Sequence, residues 1–378
     1  MHTVYLDNAA TTALKPQVLE AMLPYLQEAY GNASALYQLG RRSKQAIETA
    51  REQIAAALGA APAEIYFTAS GTEANNWALQ GLARAHQHRG KHIITSAIEH
   101  HAVLHACQFL QRQGFEVTYL PVDQHGLVSP AAVAAALRPD TILLSLMWAN
   151  NEVGTLQPLT ELAALAAEHQ LILHTDAVQA VGKIALDLQQ TPVSALSFSG
   201  HKFHGPKGVG ALYLRRGLAI EPLLHGGAQE RDLRAGTENV AGIVGMARAL
   251  ELAVAELEQT QQRVQQLRDS CQARLQELIP DIQFNGHPTQ RLAGHLNLSL
   301  PQLAGDELLL MLDMRGIAAS SGSACSALSI EPSHVLKAMG VSDAAAGSAL
   351  RLTFGSDNNM ADVDRVVEAL VDIVRSKQ

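Results

Sequence analysis

From Glu64 onward the chain alternates short apolar runs with longer stretches of helical period. The runs fall at Ile65–Thr68, His92–Ser96, Glu116–Leu120, Ile142–Met147, Leu171–His174, Ala195–Phe198 and Gly210–Leu214. Runs of this length between Gly, Pro, Asn and Asp read as buried strands. Apolar residues at helical spacing fill the intervals Thr72–Gln87, Ala102–Gln113, Ala131–Leu137 and Leu159–His169. Alternation of this kind predicts an α/β fold, with a mainly parallel seven-stranded sheet covered by helices on both faces. Upstream, Val4–Leu6 reads as a short strand, Asp7–Thr12 as a turn, and Pro16–Tyr30 and Arg41–Leu58 as helices broken by Gly31-Asn32. After Gly242 the pattern predicts one long charged amphipathic helix ending near Ile279-Pro280. A strand (His295–Leu300), a helix (Asp306–Met314), a run of small residues, a strand (Ala349–Phe354) and a last helix (Asn359–Arg375) follow. This tail reads as a smaller α+β domain, with its boundary between 240 and 255.

Open α/β sheets bind ligands beyond the carboxyl ends of their strands, so the residues just after each run carry the candidate chemistry. After Ala195–Phe198 comes Ser199-Gly-His-Lys202. A lysine at such a strand end is suited to a Schiff base, since desolvation and cationic neighbours free its amine. Alone, a lysine in a Gly-rich turn is more often a solvated surface residue. Gly200–Lys207 is not a phosphate loop, because Pro206 separates Gly205 from Lys207 and no Ser or Thr follows the lysine. After Ile65–Thr68, the turn Ser70-Gly71-Thr72 opens a helix whose N–H groups and Thr72 hydroxyl would cradle a phosphate. The same residues also suit an ordinary helix cap with Glu73 in the first turn. After His92–Ser96, His100 is placed to stack on a planar ring and carry protons. His101 and His105 have the i, i+4 spacing of a metal pair, but no third ligand completes a set. Trp148–Gly154 offers amides to a carboxylate or ring oxygen. Asp176, at the end of a buried strand, asks for a cationic partner, which a protonated pyridine nitrogen would supply. Taken together, a phosphate cradle, a stacking imidazole, a carboxylate for a pyridinium and a Schiff-base lysine meet the needs of pyridoxal 5'-phosphate.

Composition narrows the picture. The 378 residues are 47% hydrophobic and 17% charged, as in ordinary globular proteins, and the net charge of -8 argues against direct nucleic-acid binding. No segment is apolar for the length of a membrane span. The chain enters its first strand directly from Met1, so a cytoplasmic location without membrane attachment is expected. Three cysteines without a close pair exclude a disulfide framework or zinc ribbon. Cys271 lies on a helical stripe with Val264, Leu267, Leu275 and Leu278, and Cys107 lies in a helix, so both read as packed. Cys325 sits in Ser320-Ser-Gly-Ser-Ala-Cys-Ser-Ala-Leu-Ser329, where small residues cannot build a core around it, which predicts an accessible thiol.

The chain also resembles the cysteine desulfurases of the NifS/IscS type, within the class V aminotransferase fold, over nearly its whole length. The resemblance is carried by Tyr5–Thr12, Thr68–Asn75, Glu99-His100, Asn150–Gly154, Asp176–Gln179, Ser199–Lys202 with Gly205–Gly208, Arg234–Asn239, and Ser320–Cys325 followed by Glu331–His334. The last is similar to the long cysteine loop of the first subgroup, here about 318–332. The resemblance implies the fold type I architecture of pyridoxal phosphate enzymes. A large cofactor-binding domain would span 13–250, and residues 1–12 and 251–378 would form a small domain.

Position by position, it implies that Lys202 forms the Schiff base, Asp176 pairs with the pyridine nitrogen, Gln179 bonds the ring hydroxyl and His100 stacks on the ring. Ser70, Gly71, Thr72, Ser199 and His201 would hold the phosphate with Thr237 of the partner subunit in a homodimer. Asn151, Arg351 and Asn8 would bind the substrate, with Arg351 as a carboxylate fork. Cys325 would be the nucleophile and Lys202 the proton carrier, converting L-cysteine to L-alanine and leaving a persulfide on Cys325. The sulfur would pass to an acceptor such as an iron–sulfur scaffold or a tRNA- or cofactor-thiolating enzyme. No resident metal is implied, with Cys325 available as a cluster ligand during transfer. The chain departs from the family at Ala33 and Tyr37, where Pro and His are usual, and it ends at Gln378 without the tail of the longer members. The competing readings are a selenocysteine lyase or small amino acid transaminase on the same cofactor, and a non-catalytic scaffold in sulfur trafficking.

Overall fold

The computed structural model describes residues 3–301, 303–321 and 332–377. In chain order its elements begin with β1 (Val4–Tyr5), α1 (Pro16–Gln27), α2 (Gln38–Leu58), β2 (Ile65–Thr68), α3 (Gly71–His86), β3 (His92–Ser96) and α4 (His101–Arg112). They continue with β4 (Glu116–Leu120), α5 (Pro130–Ala136), β5 (Thr141–Ser145), α6 (Leu159–Glu168), β6 (Ile172–Asp176), β7 (Ala195–Ser199), β8 (Gly210–Leu214) and α7 (Val240–Ala255). The remainder are α8 (Leu257–Leu278), β9 (Gln283–Asn285), β10 (His295–Ser299), α9 (Gly305–Asp313), β11 (Ile317–Ala318), α10 (His334–Ala338), α11 (Asp343–Gly347), β12 (Ala349–Thr353) and α12 (Met360–Arg375).

Seven strands form one sheet in the order β2-β8-β7-β6-β5-β3-β4. Strands β4, β3, β5, β6 and β7 run parallel, while β8 pairs antiparallel with both β7 and β2. Successive side chains point to opposite faces of a strand, and the sheet obeys this closely. Ile93, Leu143, Ala195 and Leu212 enter a core under α3 and α4, whereas Ile94, Leu144, Leu196 and Ala211 enter the core under α2, α6 and α7. Both faces are therefore dry, as the continuous apolar runs predicted. The order reverses where β3 and β5 lie side by side, and a crevice opens there beyond their carboxyl ends.

A second core gathers α8, α9 and α12 around the antiparallel sheet β12-β10-β9, and it includes Val4 and Leu6 from the start of the chain. β1 reaches it by pairing with β11 in parallel register, Val4 beside Ile317. Strands as short as β9 and β11 carry too few residues for a period, and the sequence pattern did not reveal them.

The single long helix expected after Gly242 is instead two. α7 begins at Val240, and the chain leaves helical geometry at Glu256 (φ -99, ψ 6) before α8. The physical reason is a change of partner. Ile243, Met246, Ala247 and Leu250 of α7 are buried against the large sheet, while Val264, Leu267, Cys271 and Leu275 of α8 are buried in the second core. One straight helix cannot aim its stripe at both, and Glu256 at the break pairs with Lys15 at 2.5 Å.

One buried ion pair fixes the outer edge of the sheet. Both oxygens of Glu230 accept from the Arg51 guanidinium, at 2.8 and 2.9 Å, and the carboxylate also accepts from the Phe67 N–H of β2. Glu230, Arg231 and Asp232 are held at positive φ of 43, 59 and 65°. That conformation costs non-glycine residues of order 1–3 kcal/mol each and persists only where surrounding contacts enforce it. Arg51→Met strands the Glu230 carboxylate in the interior and is expected to cost about 3–5 kcal/mol, read as a lower urea midpoint at unchanged slope. The double variant with Glu230→Gln should recover part of that loss, whereas equal losses in the single and double variants would show that the ion pair is not the tie.

Candidate active site

The crevice is a cleft of about 500 Å³ whose walls include Ala9, Ala10, Thr11, Ser70, Gly71, Thr72, Asn75, His100 and Asn151. Asp176, Gln179, Ser199, His201, Lys202 and Arg351 also line it. Residues scattered over most of the chain thus meet in one place. Two expected members stand apart. Asn8 lines a smaller neighbouring cavity, and its amide donates to the Thr353 carbonyl at 2.8 Å. Thr237 is exposed in the loop before α7. Cys325 lies outside the described residues.

Each wall has a local cause. At the start of α3, the Ser70 hydroxyl accepts from the Glu73 N–H at 3.1 Å, and the Glu73 carboxylate reaches back to the Ala69 N–H at 3.0 Å. The ordinary cap and the anion cradle therefore coexist, because the first N–H groups of a helix have no partner within it and face the cleft with the positive end of the dipole. Arg234 braces this turn by a fork onto Glu73 at 2.7 and 3.1 Å. Position 71 must be glycine, since a Cβ there would come within 2.6 Å of the Val178 side chain. That contact seats the cradle directly on the turn that follows Asp176.

Asp176 ends β6 with its carboxylate buried, and its partners are neutral donors: Asn75 Nδ2 at 2.6 Å and the Val178 N–H at 3.0 Å. A buried carboxylate with only neutral donors leaves room for a cationic ligand atom. His100 begins α4 and its Nδ1 accepts from the Ala102 N–H at 3.1 Å, which assigns the ring proton of the neutral imidazole to Nε2. The Lys202 amine donates to the carbonyls of Ala9 and Ala10 at 2.6 and 2.7 Å. These carbonyls belong to a strap fastened by the Thr12 N–H to the His201 carbonyl at 3.0 Å. His201 is held near pKa 4 by burial and by the charges of Lys202, Lys207 and Lys183, so it meets a ligand as a neutral ring. Arg351, with its side chain only 2% exposed, forks between Asp7 Oδ1 at 2.7 Å and the Asn151 carbonyl at 3.0 Å, and its Nε has no partner among the described residues.

Two buried acids escaped the sequence reading as site residues. Glu152 lines the cleft near Arg351 and His100, accepts from the Ser333 hydroxyl, and is pushed up to about 7 by burial. Glu99 lies under the turn that carries His100 and is pushed up to about 8 by burial, against hydrogen bonds from Ser96 and the Met147 N–H. Both sit in stretches already singled out, Glu99-His100 and Asn150–Gly154, where the neighbouring residue drew the attention. Lys207 and Asn75 are further additions to the wall.

The aminotransferase class-V family model matches residues 4–366. The chain belongs to that family. It is 55% identical over 372 residues to the cysteine desulfurase IscS of Methanosarcina thermophila, covering 98% of this chain and 92% of that one. Among solved structures, a NifS-like protein superposes with a TM-score of 0.93 at 39% identity, over 99% of this chain and 100% of the other. A structure of SspA in complex with cysteine has a TM-score of 0.81 at 39% identity, over 93% of this chain and 99% of that one. The cofactor of this enzyme is pyridoxal 5'-phosphate, and the donor set fits it. The α3 cradle suits the phosphate, Asp176 suits a protonated ring nitrogen, and Lys202 is within the same cleft. Among the described residues no helix is long and apolar enough to cross a membrane, and no cluster of His, Cys, Asp and Glu suits a metal.

Glu99 gives this site a measurable pH signature. Its carboxyl titrates near 8 in the fold against an ordinary value of 4.5, so the native state keeps a proton that the unfolded chain has lost between those values. Its contribution to stability is therefore full below pH 4.5 and declines as pH rises toward 8. Glu99→Gln should abolish that decline, giving a variant that gains on the parent by on the order of a few kcal/mol between pH 5 and 9 in urea melts. Parallel stability profiles for the two proteins would mean that Glu99 is ionised in the native state.

Proposed function

We propose that this enzyme is a cysteine desulfurase, which takes sulfur from L-cysteine, leaves L-alanine, and passes the sulfur on from a persulfide on Cys325. The observation that carries this reading is the convergence of Lys202, Asp176, His100, Arg351 and the α3 N-terminus on one cleft, in a chain whose other two thiols are unusable. Cys107 and Cys271 are fully buried, with burial pushing each thiol up to about 12. A thiol in that state supplies almost no thiolate at neutral pH, and the thiolate is the nucleophile. Cys325 is the remaining candidate.

When bound, the pyridinium ring of the cofactor withdraws electrons from the substrate carbon skeleton. Arg351, on the cleft wall with Asn151 beside it, receives the substrate carboxylate, its guanidinium turning from Asp7 and the Asn151 carbonyl toward the ligand. Asp176 keeps the ring nitrogen protonated through its buried charge. Lys202 Nζ, held over the cleft by the Ala9 and Ala10 carbonyls, takes the α-proton of the bound cysteine and later returns a proton to the carbon skeleton. The Cys325 thiolate attacks the substrate sulfur, the carbon–sulfur bond breaks, and its electron pair stays with the β-carbon, which is protonated to the methyl group of alanine. The sum of atoms is one cysteine and one thiol in, one alanine and one persulfide out.

The reading extends to a homodimer in the cytoplasm that hands sulfur to an acceptor protein. An apolar face on α1 supports the dimer, with Leu19 44%, Leu23 38% and Leu26 57% exposed, and Tyr30 beyond them 72% exposed. Exposed apolar surface of that kind is the ordinary mark of an interface. The exposed loop bearing Thr237 offers a residue to a neighbouring subunit's cleft.

Cys325→Ala should abolish sulfide and alanine formation from L-cysteine while Lys202 still carries the cofactor, located by borohydride reduction and peptide mapping. Undiminished alanine formation in that variant would refute the desulfurase reading in favour of other chemistry on the same cofactor. Arg351→Lys keeps the charge but not the fork, and should lower kcat/KM for cysteine by about 10- to 100-fold, mainly through KM. An unchanged KM would remove Arg351 from substrate binding.

A further inference from the structure

A second lysine stands behind Lys202. Between β6 and β7 the chain makes successive tight turns, with Ala180 N–H donating to the Ala177 carbonyl and Lys183 N–H to the Ala180 carbonyl, both at 2.9 Å. Gly182 allows the last turn to close inward, since it sits at φ +75° and a Cβ would come within 2.8 Å of the Phe203 Cβ. The Lys183 amine then donates to Gln179 Oε1 at 2.7 Å. Gln179 Nε2 donates to the Ala9 carbonyl at 2.8 Å, and the Lys202 amine donates to that same carbonyl at 2.6 Å. A chain of hydrogen bonds therefore runs from Lys183 through Gln179 and Ala9 to Lys202.

The partners decide which way the Gln179 amide faces. A lysine ammonium only donates and a carbonyl only accepts, so Oε1 must face Lys183 and Nε2 must face Ala9. Nε2 has a second proton, and Gln179 lines the cleft, so the residue shows a donor to whatever oxygen is bound there. Without a donor at position 183 only the Ala9 carbonyl would hold the amide in that sense.

The charged and titratable groups coupled to Lys183 come from several elements. They are Lys202 and His201 after β7, His204 on the following turn, Arg351 on β12 and His295 on β10. The nearby acids are already engaged, Asp7 with Arg351 and Glu256 with Lys15. Burial, followed by the charges of Lys202 and Arg351, brings Lys183 down to about 7.

We propose that Lys183 is a positioning residue for Gln179, holding its amide with an N–H toward the cleft. The proposal deepens the function given above and rests on it in one respect, that Lys202 is the residue attached to the cofactor.

The test uses the full-length protein as parent and as Lys183→Met, Lys183→Gln and Lys183→Arg, each checked by thermal melting. Equilibrium titration with pyridoxal 5'-phosphate, followed by its absorbance, reports cofactor affinity without reference to turnover. Cofactor affinity should fall about 10-fold in Lys183→Met alone, since Gln and Arg both retain a donor toward Gln179. Unchanged affinity in Lys183→Met would overturn the orienting role. An equal loss of affinity in Lys183→Arg, which keeps a donor, would also overturn the orienting role. Borohydride mapping of the parent separates the two levels, because a cofactor found away from Lys202 defeats the proposed function itself.

Discussion

Two backbone carbonyls, those of Ala9 and Ala10, accept the Lys202 amine, and the arrangement of the molecule follows from that contact. The lysine stands at the end of β7 in the large sheet. The carbonyls stand on a strap whose preceding strand, β1, is packed in the second core against β11. The amine can be held over the cleft only when both cores are formed and in contact. The same junction brings Arg351 from β12 to Asp7 and to the Asn151 carbonyl after β5. A crevice at the reversal of strand order is generic to open α/β sheets, but here its far wall is supplied by the ends of the chain.

The charge pattern of the cleft follows from burial. Lysines and arginines gather with few free acids to oppose them, and burial raises the two buried carboxyls near His100 to about 8 and about 7, which weakens them as counterions. Removing an anion from water costs more than protonating it. What remains is a site with an excess of positive potential, suited to a ligand that brings its own phosphate and a substrate that brings its own carboxylate. Asp176, in contrast, is held by two neutral donors and faces the cleft.

Much of this was legible from residue order. All seven strands of the large sheet were visible as apolar runs, because a strand buried on both faces leaves an uninterrupted signal. Lys202, Asp176, His100 and Thr72 stood out because each follows such a strand. The break at Glu256 was not visible, since α7 and α8 both carry a helical period and differ only in which core they face. Strands β9 and β11 were too short to register. Glu99 and Glu152 fell inside recognised motifs, yet nothing in a linear sequence shows that a carboxyl is fully buried.

The sequence by itself determined the sheet, its helical cover and the residue types at each strand end, because side-chain period and turn chemistry are local properties. The tertiary structure alone decided which of those ends meet. It gave Lys202 two carbonyls from the start of the chain, set Lys183 behind Gln179, moved Asn8 to a neighbouring cavity and turned Glu73 into a brace for Arg234. Each of these depends on contacts between residues far apart in sequence, and on the protonation states that burial then imposes.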